Sequence, residues 1–101
     1  MDKDSDKTKV VFRYWEKDII ALFPEIPADN WGVYCQSYQH IGQHGGEDYY
    51  GIIDHSRPAR PEEYADLQDE LEQIGYNLDV RRRTMPSTHE TRKTEARRIV
   101  A

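Results

Sequence analysis

Between Pro61 and Gly75 the apolar side chains Tyr64, Leu67, Leu71 and Ile74 recur at steps of three and four, and every residue between them is polar or small. That spacing lines four apolar groups along one stripe of a helix. Pro61 suits the first helical position, Glu62 and Glu63 complement the positive end of the helix dipole, and Gly75 suits the residue that closes the last turn. A helix is therefore predicted over 61–74, with its stripe packed on a sheet and its carboxylates facing water.

The sheet is written on either side of this helix as period-two alternation. Val10, Phe12 and Tyr14 fall on one side of an extended chain, and Val11, Arg13 and Trp15 on the other. After the polar break Glu16-Lys17-Asp18, the run from Ile19 to Phe23 makes a hairpin partner, which Pro24 and Pro27 are expected to end. Alternation over Trp31 to His40 predicts a third strand, and Tyr49 to Ile53 a short fourth strand or an ordered loop after the glycines 42, 45 and 46. Tyr76, Leu78 and Val80 alternate with Asn77, Asp79 and Arg81, which returns the chain to the sheet in a last strand ending near Arg83. The fold class expected is α+β: a small antiparallel sheet of four or five strands with one helix on one face, in the order β-β-β-β-α-β. Residues 1–8 are expected to be a flexible N-terminal tail, 9–83 the single domain, and 84–101 a basic flexible tail that is disordered or becomes a short helix on contact.

Charge is distributed unevenly. The chain has 101 residues and a net charge of −5, which on its own turns it away from polyanions. Residues 1–60 carry seven basic and ten acidic groups, residues 61–80 carry seven acidic and no basic ones, and residues 81–101 carry seven basic and two acidic ones. The result is an acidic body with a basic end. Hydrophobic residues make up 37% and charged residues 33%, so the core is thin, and dimerisation would add burial. No apolar run approaches the roughly 18 residues of a membrane span. Met1 to Lys7 is without the positive and apolar regions of a secretory signal, and Cys35 is the sole cysteine, so a cytoplasmic protein with no membrane partner is expected.

Three stretches together resemble a family of small bacterial hypothetical proteins associated with mobile and conjugative elements. They are Ile20 to Asp29, Ser37 to Gly45, and Arg57-Pro58-Ala59 with Pro61 to Tyr64 and Leu71 to Tyr76. The resemblance covers roughly Val10 to Arg83. It implies a setting but no reaction, cofactor or catalytic residue.

Several constellations invite a chemical reading. Cys35, His40, His44 and His55 are residue types that ligate zinc, yet their spacing matches no clamp, and the glycines around His44 argue against a helix that would align His40 with it. The plain alternative is hydrogen-bonded or solvated histidines around a turn. Cys35 with a histidine could form a nucleophile and base, but a cysteine between strand residues is ordinarily a small buried hydrophobe. Glycines 42 to 46 lack the Lys-Ser/Thr end of a phosphate loop. Arg81, Arg82, Arg83, Arg92, Lys93, Arg97 and Arg98 could hold a nucleic-acid backbone, with Tyr34, Tyr38, Tyr49 and Tyr50 as stacking surfaces. Those cations could equally neutralise the acidic helix. The function expected is a non-enzymatic accessory or interaction domain without cofactor, binding a protein partner or a second copy through Trp31, Tyr38, His40 and His44. Nucleic-acid binding by the basic end is the alternative, and metal binding a further one.

Overall fold

The structure is a computed structural model that describes residues 7–40 and 42–100. It is an α+β domain. β1 (Thr8–Trp15) and β2 (Asp18–Pro27) form an antiparallel hairpin with Trp15 opposite Asp18. Its two-residue turn places both Glu16 and Lys17 at positive φ, the geometry whose twist matches that of paired strands. β3 (Cys35–Gln39) pairs antiparallel with β2, and β4 (Gln43–Glu47) with β3. The chain then forms α1 (Tyr49–Asp54), β5 (Arg57–Pro58), α2 (Pro61–Ile74), β6 (Leu78–Arg81) and α3 (Pro86–Val100).

The sheet order is β4-β3-β2-β1, and β5 and β6 share the outer edge of β1. β5 pairs antiparallel with Arg13 and Tyr14, whereas β6 runs parallel to Thr8–Val11. A single helix between them reverses the chain, so the two short strands converge on Phe12 from opposite directions. The alternation of β1 and β2 feeds two cores. Val10, Phe12, Ala21, Phe23 and Tyr38 face α2, where Leu67 and Leu71 are buried among them. Val11, Ile20, Leu22 and Cys35 face the other way and are covered by Tyr49 and Ile52 of α1.

Several expectations are corrected. The third strand begins at Cys35, and residues 31–34 lie in the loop before it, because Gly32 at φ +73° breaks the extended chain. The fourth strand is Gln43–Glu47, and Tyr49 to Ile53 is helical, with Tyr49 and Ile52 on one buried side. Pro24 does not end β2; the strand continues to Pro27 through a shift in register. β6 makes the sheet mixed. The predicted N-terminal tail lies mostly outside the described residues, and β1 begins at its last residue, Thr8. The predicted flexible tail 84–101 contains the 15-residue α3, which adds to the one predicted helix a layer on the opposite face. α2 begins and ends as predicted, with Pro61 at its first position and Gly75 at φ +127° after its last turn. The fork of Arg57 and the amide of Arg60 both bind Glu63 and hold its carboxyl down to about 2.

Candidate functional site

The residues expected to form one binding surface separate to the two ends of β3. At one end, Tyr38, His40 and His44 gather around Glu70 of α2. The Tyr38 hydroxyl donates to a Glu70 oxygen and accepts the Gly42 amide at 3.0 Å. His40 Nδ1 lies 2.6 Å from the other Glu70 oxygen, and the His44 ring packs edge-on against Tyr38 at 4.7 Å. Hydrogen bonding to Glu70 is the main reason that the Tyr38 phenol lies above its ordinary pKa. These contacts tie the β3–β4 hairpin to α2, which is the hydrogen-bonded role set against the metal reading.

At the other end of β3, residues 28–34 form a built loop. Ala28 donates its amide to the Tyr34 carbonyl at 2.9 Å, and Tyr34 donates its own to the Asp29 carboxylate at 3.0 Å. Gly32 touches α3 so closely that a Cβ there would stand 2.8 Å from the Lys93 Cα. Arg92 donates from Nε to the Gly32 carbonyl at 2.8 Å. On this rigid base Trp31 is 75% exposed, and Val33 and Tyr34 are exposed beside it.

The metal candidates do not converge. Cys35 is buried on the α1 face of the sheet, opposite to the face that carries Tyr38 and Glu70. Burial pushes its thiol up to about 11, so it is protonated at neutral pH and a poor nucleophile or metal ligand. His55 ends α1 with Nδ1 2.9 Å from the Gly51 carbonyl. Among the described residues no three of these ligand types gather where an ion could sit.

The basic residues also divide. Arg92 is buried, which removes it from any nucleic-acid surface. It has no carboxylate partner among the described residues; besides the Gly32 carbonyl it donates from Nη1 to the Pro24 carbonyl and to His89 Nδ1, both at 2.8 Å. Because a guanidinium can only donate, His89 must accept at Nδ1 and carry its proton on Nε2, 2.8 Å from Thr84 Oγ1. The His89 ring also meets the Tyr49 ring edge-on at 5.0 Å, which connects α3 to α1. Burial, then Arg92 and Lys93, hold the His89 imidazole below its usual pKa, so it is neutral at pH 7. On the rest of α3, Arg98 is occupied by Glu95, and Arg97 reaches Thr94 at 3.4 Å. Arg82 and Arg83 are exposed, while Arg81 pairs with Asp79 at 2.8 Å. Of the four tyrosines read as stacking surfaces, Tyr38 and Tyr49 are buried and only Tyr34 and Tyr50 are exposed.

Sequence reasoning missed the Thr84–His89–Arg92 junction and a second buried cation, Arg13. Arg13 donates to Ser56 Oγ at 2.8 Å and to the Ser56 and Ile53 carbonyls. A signal did exist, since Thr88, Arg92 and Ala96 recur at four-residue steps with His89 beside them, but only one of these is apolar. Comparison with protein-family models, with curated proteins and with solved structures returns no match. No helix among the described residues is long and apolar enough to cross a membrane.

Proposed function

We propose that this chain is a non-enzymatic interaction domain that docks a protein surface on the loop carrying Trp31, Val33 and Tyr34. The observation that carries this reading is the exposure of Trp31 on a loop held from below by a buried arginine. An indole held in water on a rigid base contributes little to its own fold, whereas such residues dominate the energetics of interfaces once covered. The neighbouring edge supports the same reading. β4 is an outer strand exposed over Gln43–Gly46, with two glycines and no lysine or proline to block a further strand. Gly46 lies against Ala28 at the base of the loop, so edge and aromatics form one continuous surface.

A second copy of the chain is the partner that this surface fits first, because pairing of two β4 edges about a two-fold axis would join the sheets and cover both Trp31 loops. The expected setting is a cytoplasmic accessory of a bacterial mobile element, as the resemblance of residues 10–83 implies. Sedimentation velocity over a range of concentrations tests the reading. A dimer that dissociates on Trp31→Ala with Tyr34→Ala, while the circular dichroism spectrum is kept, supports it; a monomer at all concentrations overturns self-docking.

A further inference from the structure

The edge of β1 farthest from β4 carries a different surface. Because β5 and β6 approach Phe12 from opposite directions, their ends leave a notch on the α2 side, and a cavity of about 250 Å3 opens there. Its floor is apolar, built from Phe12, Pro58, Tyr64 and Val80, with the Phe12 and Tyr64 rings stacked at 4.4 Å. Its rim is cationic, formed by Arg60, Arg81 and Arg82. Arg81 also lines a second cavity of about 210 Å3, on the α3 side, together with Lys9, Arg83, Ser87 and Thr88 among others.

The local carboxylates are already engaged: Glu63 by Arg57, Asp79 by Arg81, and Glu25 by Lys9. Arg60, Arg82 and Arg83 make no salt bridge among the described residues. The rest of α2 is acidic, with Glu62, Asp66, Asp69 and Glu72 in addition to Glu63 and Glu70, so a polyanion is repelled from the helix and directed toward this edge.

We propose that the notch between β5 and β6 binds single-stranded nucleic acid, with an unpaired base in the apolar cavity and the flanking phosphates on Arg60, Arg82 and Arg83. Two cationic cavities in succession match a chain with repeating phosphates better than one compact anion. The concave apolar floor selects against a duplex, whose bases are stacked away inside the helix. The site is independent of the Trp31 loop, so failure of either proposal leaves the other standing.

The test uses the full chain and a fluorescent oligothymidylate of about ten nucleotides, with the matching duplex and thymidine monophosphate as further arms. Anisotropy should rise with the single strand, and affinity should fall steeply with salt. Arg82→Ala should weaken binding roughly fivefold and lower the salt slope by about 1. Arg60→Glu and Arg82→Glu should weaken it further, while Arg97→Glu, the same charge change on α3, should leave it within about twofold. Thermal melts establish that each variant is folded, and Arg82, on an exposed bend, provides the variant least coupled to folding. Absence of single-strand binding at low salt, equal loss from Arg97→Glu, duplex bound as tightly as the single strand, or monophosphate bound as tightly as the oligonucleotide would each overturn the proposal.

Discussion

α2 meets the sheet through Tyr64, Leu67 and Leu71, whereas α3 meets the opposite face through Thr88, His89, Arg92 and Ala96. The two helices are similar in length, 14 and 15 residues, and both are largely charged on the outside. Their attachments differ in kind. α2 is held mainly by non-directional burial of apolar area, about 1.5–3 kcal/mol for each fully buried leucine, to which Glu70 adds its bonds to Tyr38 and His40 at one end of β3. α3 is held by directional donors that must find their acceptors: a register shift at Pro24, a positive-φ glycine at 32 and one tautomer of His89. An apolar contact tolerates small displacements. A buried guanidinium does not, because each lost acceptor leaves a desolvated charge with fewer partners.

The largest effect should come from the apolar side. Leu71 is fully buried between α2 and the sheet, and Leu71→Ala is expected to cost about 2–5 kcal/mol and to lower the midpoint of urea unfolding for the whole domain. If amide exchange in that variant rose only within α2, the two helices would be equivalent appendages and the contrast between them would fail.

Next in size is Arg92→Met, which keeps much of the side-chain volume and removes every donor. Loss of the bonds to the Gly32 and Pro24 carbonyls should cost on the order of 1–3 kcal/mol. The loss should be local, with proteolysis and amide exchange increasing over 86–100 and over the 28–34 loop while 61–74 stays protected. Equal loss of protection in α2 would show that the polar junction is part of one cooperative core.

Acidification provides a milder probe of the same junction. The folded pKa of His89 lies below its unfolded value, so the folded state binds fewer protons and the neutral ring contributes stability above about pH 6.5. That contribution is lost as pH falls from there through the folded pKa, since a protonated ring cannot accept from Arg92 and adds a charge beside it and Lys93. Amide protection factors in α3, which remove the intrinsic pH dependence of exchange, should therefore fall as pH drops below about 6.5 while those in α2 change little. In His89→Gln this pH dependence should flatten; an unchanged profile would place the titration elsewhere. The smallest effect on stability is expected from Trp31→Ala, within about 0.5 kcal/mol by thermal melting. A loss of several times that would mean that the indole is part of the fold.

How far each helix could be read beforehand follows from the same contrast. α2 was legible because apolar periodicity, Pro61, Glu62, Glu63 and Gly75 all point to one element with the same boundaries. α3 was not, because a face made of threonine, histidine, arginine and alanine looks solvated until the acceptors that satisfy it are known. The β1–β2 hairpin was legible from alternation on either side of the polar break Glu16-Lys17-Asp18, and the structure narrows that break to a two-residue turn at Glu16 and Lys17. Tyr49 to Ile53, expected as a short strand or an ordered loop, is helical because the aromatic and β-branched residues that favour strands also fill one side of a short helix that covers Cys35. Of the surface residues, Trp31, Arg82 and Arg83 could be named from composition and position. Arg60 could not, since only the convergence of β5 and β6 brings it to the rim of the notch.

What the sequence alone determined is the local grammar: which segments alternate, where the apolar stripe of α2 runs, where prolines and glycines punctuate it, and that positive charge concentrates after Val80. Those properties depend on residues a few positions apart. The tertiary structure alone decided which cations are buried and which meet solvent, since this depends on carbonyls some 60 residues away in sequence from Arg92. It also decided that β5 and β6 share one edge of β1, and so placed arginines from separate segments around one apolar floor. Periodicity assigns a side chain to a face of its own element; only packing supplies what that face meets.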